Sequence, residues 1–127
     1  MIVLDASVLI GHLDGRDRHH ESARALLRAH ASELLGASQI SLAETLVAPA
    51  RSGRLEDARQ ALEGLAVQEL PLAAGASRRL AGLRAETGLK LPDCCVLLAA
   101  EDHGAGLASF DRDLCQSARD LGIPVVA

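Results

Sequence analysis

The chain has 127 residues, which is enough for one domain with a sizeable core and too few for two, so we expect a single domain over residues 1–127. Hydrophobic residues make up 49% and charged residues 24%, which excludes a disordered chain, and no apolar stretch reaches the roughly 18 residues of a membrane span. The formal net charge of -4 is opposite in sign to the usual footprint of a nucleic-acid-binding protein.

The N-terminus and the cysteines bear on the cellular compartment. The first residues lack the basic start and the cleavage site of a signal peptide, so we expect a cytoplasmic protein with no membrane partner. The three cysteines are an odd number and form no CxxC pair, which favours reduced thiols.

The predicted elements alternate between short apolar runs and segments with helical spacing. In chain order they are a strand at 1–4, helices at 6–14 and 17–30, a strand at 34–37, helices at 39–48 and 55–65, a strand at 67–70, helices at 73–87 and 91–103, and strands at 107–109 and 123–126. Strands that alternate with helices imply parallel pairing and right-handed crossovers. The sequence therefore predicts an α/β fold, a three-layer α/β/α sandwich with a central parallel sheet.

Asp5 directly follows the apolar run at 1–4, which we expect to form a central strand buried on both faces. In open α/β sheets ligands bind beyond the carboxyl ends of the strands, so Asp5 lies where a functional site is expected. The alternative that remains open is that Asp5 only caps the helix that begins near Ala6.

Glu44 lies within a helical pattern in which its neighbours one turn away are apolar. Those neighbours are Ile40, Val47 and Ala48, so we expect the carboxylate on an apolar, buried face. An isolated ionised acid there costs several kcal/mol unless it is paired or binds a cation. A buried ion pair with an arginine is the alternative.

Two further acids complete a candidate cluster. Asp93 precedes Val96 and Leu97 on its own helical face, although the helix dipole alone also favours an acid in a first turn. Asp111 follows the strand at 107–109 in a predicted loop, a position that by itself indicates little. In the predicted fold these two acids can meet Asp5 and Glu44 at one edge of the sheet.

A cluster of carboxylates without histidine or thiolate partners is suited to Mg²⁺ or Mn²⁺ rather than to zinc. Without a cation, like charges packed so closely would repel one another. Of the 17 acidic residues, 13 remain outside these four, and they balance the 13 Lys and Arg residues. Such ions activate water for attack on a phosphodiester, so the predicted reaction is phosphodiester hydrolysis.

The order of these motifs resembles the PIN domain, and specifically the VapC-type toxin ribonucleases of bacterial toxin-antitoxin pairs. The resemblance spans the chain and rests on Asp5-Ala6-Ser7, Leu42-Ala43-Glu44, Leu91-Pro92-Asp93 and Ser109-Phe110-Asp111-Arg112-Asp113. It implies a Mg²⁺- or Mn²⁺-dependent endoribonuclease that forms a homodimer and is inhibited by a cognate antitoxin.

The resemblance also implies roles for individual residues. The metal ligands would be Asp5, Glu44 and Asp93, with Asp111 completing the site directly or through water. Ser7 and Ser109 would orient water or a ligand, and Asp113 would be a supporting acid behind the ligands. Cys94 and Leu114 depart from the residue types common in the family, but neither replaces a ligand.

The sequence says little about how a substrate is held. Base stacking requires aromatic side chains, and Phe110, the single aromatic residue, is assigned to the core. A structured RNA such as tRNA is the expected substrate, because RNA recognition usually targets loops and unstacked bases. The His19-His20-Glu21 triplet lacks an HExxH pattern, so we interpret it as a solvated first turn of a helix.

Three other functions compete with this interpretation. A phosphotransfer receiver requires paired acids after its first strand, whereas Asp5 stands alone. A haloacid-dehalogenase-type phosphatase requires Asp-x-Asp, and position 7 is Ser. The remaining alternative is a PIN-like module that binds its antitoxin and has no catalytic activity.

Overall fold

The computed structural model describes residues 1–126, within which the chain forms four strands and seven helices. The strands are β1 (Ile2–Leu4), β2 (Leu35–Ser38), β3 (Val67–Leu70) and β4 (Gly106–Ala108). The helices are α1 (Ala6–Leu13), α2 (His20–Ala29), α3 (Gln39–Arg51), α4 (Leu55–Gly64), α5 (Ala76–Thr87), α6 (Leu91–His103) and α7 (Arg112–Asp120). Within the described residues, no helix combines the length and the apolar character needed to cross a membrane.

All four strands are parallel and lie in the order β3-β2-β1-β4. The central strand β1 pairs Ile2 with Leu35 on one side and with Gly106 on the other. Because the strands are parallel, their carboxyl ends meet at one edge of the sheet. The segments that follow β1, β2 and β4 therefore leave the sheet side by side.

Alternate side chains of β1 face two separate hydrophobic layers. Val3 packs with α5, α6 and α7, whereas Ile2 and Leu4 pack with α1 to α4. This alternation follows from the two-residue repeat of a strand, and all three side chains are fully or almost fully buried. The predicted α/β/α sandwich with a central parallel sheet is confirmed.

The prediction of a fifth strand at 123–126 is wrong. This segment makes a single isolated bridge, between Val125 and Leu107, and is not a strand of the sheet. Leu107 makes both backbone hydrogen bonds of this bridge, since its N–H donates to Pro124 O and its C=O accepts from Val126 N–H, but Pro124 has no N–H with which to continue the pairing. The proline therefore interrupts the ladder, and β4 is followed only by a short parallel contact.

Helix α7 is absent from the predicted elements. Its buried residues Leu114, Cys115 and Ala118 have helical spacing, and the Asp111 side chain caps its N-terminus by accepting hydrogen bonds from two backbone N–H groups. The signal is therefore present in the sequence, as a capping acid followed by a short apolar stripe. Residues 112–120 form a helix, and the predicted loop is confined to the residues before it.

Three predicted helix boundaries differ from the structure by three residues each. Helix α2 begins at His20, because the Asp17 side chain and carbonyl first form a turn with the residues that follow. Helix α3 continues through Pro49 to Arg51, although the proline lacks one N–H in the last turn. Helix α5 begins after Gly75 rather than at residue 73. The φ of Gly75 is 81°, a left-handed value that a right-handed helix cannot contain.

His12 on α1 is the least satisfied polar side chain of the fold. Within residues 1–126 its Nδ1 is the buried side-chain atom that has no hydrogen-bond partner. Burial lowers the pKa of His12, and the positive charges of His20 and Arg24 lower it further. The folded state therefore favours the neutral form of the imidazole.

We expect His12→Leu to stabilise the protein, and to do so most in acid. Because its folded pKa lies below its unfolded value of about 6.5, the unfolded state binds more protons as the pH falls through this window. The wild type therefore loses stability there and the variant does not. Removing the unpaired nitrogen adds about 1 kcal/mol at neutral pH. Thermal melts at pH 7.5 and 5.5 measure the difference.

The matched control is His103→Leu, which removes an exposed imidazole at the end of α6. Its effect should be small at both pH values. If the difference between wild type and His12→Leu did not grow on acidification, burial of a neutral His12 would not be the cause.

Candidate active site at the carboxyl edge of the sheet

Asp5 leaves the end of the central strand β1 and is buried, with 7% of its surface exposed. It occupies the N-cap position of α1, but its side chain accepts no hydrogen bond from that helix's backbone. Instead its Oδ2 accepts hydrogen bonds from the hydroxyls of Ser7, at 2.8 Å, and Ser109, at 2.7 Å. The capping alternative is therefore excluded for this carboxylate.

The two hydroxyls connect Asp5 to the loop that follows β4. Ser109 Oγ accepts from the backbone N–H of Asp111, and Ser7 Oγ accepts from the backbone N–H of Phe110, each at 3.0 Å. Each serine thus receives one hydrogen bond and donates one to the same carboxylate oxygen. Among residues 1–126, no donor forms a hydrogen bond with the other oxygen, Asp5 Oδ1.

Glu44 lies on α3, but its surroundings differ from the prediction. Its neighbours Ile40 and Val47 are 37% and 44% exposed, and Glu44 itself is exposed. The expectation of a buried apolar face around Glu44 is therefore wrong.

The buried side of α3 instead carries Ser41, Leu42 and Thr45. The hydroxyl of Thr45 donates to the Ser41 carbonyl at 2.7 Å, and Ser38 Oγ caps the helix by accepting from Ser41 N–H. Because Ser41 and Thr45 satisfy their hydrogen bonds within the helix and its cap, they can face the protein interior. The larger apolar residues Ile40 and Val47 are then left outside.

The four predicted acids are electrostatic neighbours. Partial burial of the carboxyl group, and then the charge of Asp5, raise the pKa of Glu44. The pKa of Asp93 is raised from 3.8 to about 6, mainly by burial and further by Asp5, Asp111 and Glu44, while Lys90 opposes the shift. Asp93, half-buried in the first turn of α6, is thus the acid whose pKa is raised by the charges of the other three.

Asp111 and Asp113 lie at the start of α7 and are both exposed. Asp111 Oδ1 accepts the backbone N–H groups of Asp113 and Leu114, so this oxygen is engaged in capping. The Asp113 side chain forms no hydrogen bond with another predicted site residue among residues 1–126. The structure therefore brings the Asp111 charge near Asp93, whereas Asp113 meets the cluster through its backbone N–H, which donates to Asp111 Oδ1.

The carboxylates do not form a ready-made metal cage. Across the described part of the chain, no three His, Cys, Asp or Glu side chains lie close enough together to hold one ion. Carboxylates at coordinating distance repel one another unless a cation is between them. The donor set is nevertheless made of oxygen alone, which is the chemistry that Mg²⁺ and Mn²⁺ prefer.

An open cleft of about 460 Å³ adjoins the acids and is lined by Ser7, Arg18, His19, Phe110, Asp111 and Arg112. The His19 and Phe110 rings are stacked, with centroids 4.5 Å apart and planes 17° from parallel. Phe110 is half-buried against the core, as predicted in part, but it also faces the cleft. His19 is half-buried rather than solvated, and no local sequence signal pairs it with a phenylalanine so distant in the chain.

A family model described as PIN domain matches residues 2–120. No curated protein matches the chain by sequence. Among solved structures, a chain of a toxin-antitoxin complex from Klebsiella pneumoniae is similar, with 26% identity and a TM-score of 0.80; the match covers 100% of this chain and 97% of that chain.

Two less similar sequences share the fold. VapC20 of Mycobacterium tuberculosis, described as a toxin that cleaves the sarcin-ricin loop, is 18% identical with a TM-score of 0.72, and the match covers 92% of this chain and 95% of that chain. FitAcB of Neisseria gonorrhoeae is 20% identical with a TM-score of 0.76, and the match covers 100% of this chain and 97% of that chain.

Proposed function

The chain belongs to the PIN domain family, and from this premise we propose that it is a single-domain endoribonuclease toxin that requires Mg²⁺ or Mn²⁺. It hydrolyses phosphodiester bonds in RNA, with a structured RNA such as tRNA as the expected substrate. A cognate antitoxin inhibits it. The similarity to a chain of the Klebsiella toxin-antitoxin complex and to the RNA-cleaving VapC20 supports this proposal.

The observation that carries the proposal is the arrangement of Asp5. Two serine hydroxyls hold its Oδ2, which fixes the orientation of the carboxylate and directs Oδ1 away from protein donors among the described residues. A buried carboxylate with one oxygen unengaged is costly unless a cation or water meets it. The neighbouring charges of Glu44 and Asp93 favour a cation.

The proposed ligands are Asp5, Glu44 and Asp93, with Asp111 contributing directly or through a water. When bound, a divalent cation would lower the pKa of the attacking water and stabilise the negative charge on the leaving oxygen. Ser7 and Ser109 hold Asp5 in position, and capping of α7 leaves Asp111 one oxygen, Oδ2, to orient water. Asp113 supports the start of α7 through its backbone.

A protein partner is supported by the exposed apolar side chains beside Glu44. Ile40 and Val47 lie one helical turn before and almost one turn after it, and both are exposed. Exposed apolar surface next to a functional group is typical of an interaction site. We propose that the antitoxin covers this part of α3 and thereby blocks access to the acids, and that the chain itself forms a homodimer.

The direct test is cleavage of labelled RNA by the purified chain with Mg²⁺, with Mn²⁺, and with EDTA. We expect cleavage with either cation and none in EDTA, and product ends that carry 5′-phosphate and 3′-hydroxyl groups, as water attack produces. Sequencing of the ends identifies the target.

Two outcomes would contradict the proposal in different ways. Equal cleavage in EDTA would exclude the metal requirement. No cleavage of any RNA, together with tight binding of an antitoxin, would show a binding module without catalytic activity.

A further inference from the structure

The open cleft beside the acids combines two kinds of group that bind single-stranded nucleic acids. The guanidinium groups of Arg18 and Arg112 and the stacked rings of His19 and Phe110 all line it. Neither arginine forms a salt bridge with any residue in 1–126. In a chain whose net charge is negative, these two arginines line one cleft together with a single acid, Asp111, and guanidinium groups without a salt bridge are suited to phosphate.

The ring pair is held in place from several sides. The His19 backbone N–H donates to Asp17 Oδ1 at 2.8 Å, and His19 Nε2 accepts from Arg18 Nε at 3.1 Å. The second bond engages the Nε of Arg18 and leaves both of its terminal amino groups without a hydrogen bond to the described residues. The histidine ring is therefore oriented before any ligand arrives, which lowers the entropic cost of stacking.

The stacked pair is also tied to the candidate active site by a short chain of bonds. The Phe110 backbone N–H donates to Ser7 Oγ, and Ser7 Oγ donates to Asp5 Oδ2. One hydroxyl thus separates the stacking residue from the central acid. A nucleotide on the ring pair would lie close to a phosphodiester presented to Asp5.

We propose that the cleft is a nucleotide subsite in which a base of single-stranded RNA stacks on the His19–Phe110 pair and Arg18 and Arg112 bind flanking phosphates. This inference rests on the proposed ribonuclease function and names how the substrate is held. It assigns base stacking to a chain with one aromatic residue, because the histidine supplies the second ring. Stacking tolerates any base, so the subsite positions RNA more than it reads sequence.

The experiment measures RNA binding in EDTA, where the proposed cleavage cannot consume the probe. The probes are a short fluorescein-labelled oligoadenylate and a series of the same oligonucleotide with one abasic position each. Fluorescence anisotropy gives Kd for the wild type, His19→Ala and His19→Phe. Thermal melts of each variant confirm that it is folded.

We expect His19→Ala to weaken binding of the intact probe by about tenfold or more. With the probe that is abasic at the stacked position, the same variant should show no loss, and His19→Phe should bind the intact probe like the wild type. If His19→Ala weakened every abasic probe as much as the intact one, the histidine would not stack on a base and the inference would be overturned.

The arginines are tested by the salt dependence of binding. Each of Arg18→Ala and Arg112→Ala should reduce the slope of log Kd against log salt by roughly 0.7, the value for one phosphate contact on a single strand. The control Arg119→Ala removes an exposed arginine of α7 that does not line the cleft, and its slope should equal that of the wild type. If all variants had the same slope, the two arginines would not contact phosphates, and the inference would be overturned.

The two proposals fail separately. If cleavage required a metal but His19→Ala had no base-specific effect on binding, the subsite proposal would be wrong and the ribonuclease proposal would stand. If His19→Ala had the base-specific effect but no RNA were cleaved in Mg²⁺ or Mn²⁺, the cleft would bind RNA and the proposed catalytic function would be wrong.

Discussion

Asp5→Asn is expected to lower the rate of RNA cleavage by about a thousandfold and to leave the fold intact. The substitution removes the negative charge from the most buried of the four acids. Loss of the charge stabilisation that a bound cation supplies costs several kcal/mol, and about 4 kcal/mol corresponds to a thousandfold. Single-turnover cleavage with saturating Mn²⁺ measures the rate, and a thermal melt checks the fold.

The fold should survive because Asn has the shape of Asp and keeps one acceptor oxygen. That oxygen can accept the hydroxyls of Ser7 and Ser109, which in the wild type donate to a single carboxylate oxygen. The substitution therefore separates the charge from the hydrogen-bond network. Its expected effect is on the reaction rather than on stability.

The matched control is Asp57→Asn, which removes the same charge from an exposed acid in the first turn of α4. It should cleave RNA at the wild-type rate. Cleavage by Asp5→Asn within a few-fold of this control would show that the buried carboxylate is structural.

The parts of the fold that were predicted correctly depend on local pattern. The strand at 1–4, the helix that begins near Ala6 and the helix at 91–103 each follow from a few adjacent residues with a clear apolar or helical pattern. Val96 and Leu97 are buried as the helical spacing requires. Asp93 is accordingly the acid whose environment the sequence describes best.

Glu44 illustrates what spacing cannot decide. Helical periodicity identifies the face that carries Ile40 and Val47, but it does not say whether that face meets the sheet or solvent. The buried side carries Ser41 and Thr45, whose hydrogen bonds are made within the helix and its cap. A helix with two faces of similar polarity is oriented by its tertiary contacts, which no local pattern contains.

The stacking of His19 on Phe110 is a second feature beyond the sequence. It joins the turn before α2 to the loop after β4, two segments that the tertiary fold brings together from distant parts of the chain. A count of aromatic residues therefore underestimates the surface available for bases.

Asp93→Asn is expected to stabilise the protein in EDTA at pH 7.5 by about 1 to 2 kcal/mol. A rise of its pKa from 3.8 to about 6 corresponds to up to about 3 kcal/mol of unfavourable charge in the folded state at neutral pH. Solvent screening and the favourable dipole of α6 reduce this amount. Thermal and urea unfolding between pH 3.5 and 8 measure the difference.

The pH dependence follows from the sign of the shift. Between about pH 4 and 6 the folded wild type binds more protons than the unfolded chain, so its stability falls as the pH rises through this window. The amide of the variant does not titrate, so the advantage of Asp93→Asn should be absent near pH 4 and complete above pH 6. Asp57→Asn, a first-turn acid outside the cluster, should instead lose a few tenths of a kcal/mol.

Mn²⁺ should reverse the order of the two proteins. A ligand that binds only the folded state stabilises it by about 2.7 kcal/mol at one hundred times its Kd, and the wild type retains the carboxylate that the variant lacks. The melting temperature of the wild type should therefore rise above that of Asp93→Asn as Mn²⁺ is added. If Asp93→Asn destabilised the protein in EDTA, the folded state would not penalise the Asp93 charge. If wild type and variant responded equally to Mn²⁺, Asp93 would not be a ligand of the cation.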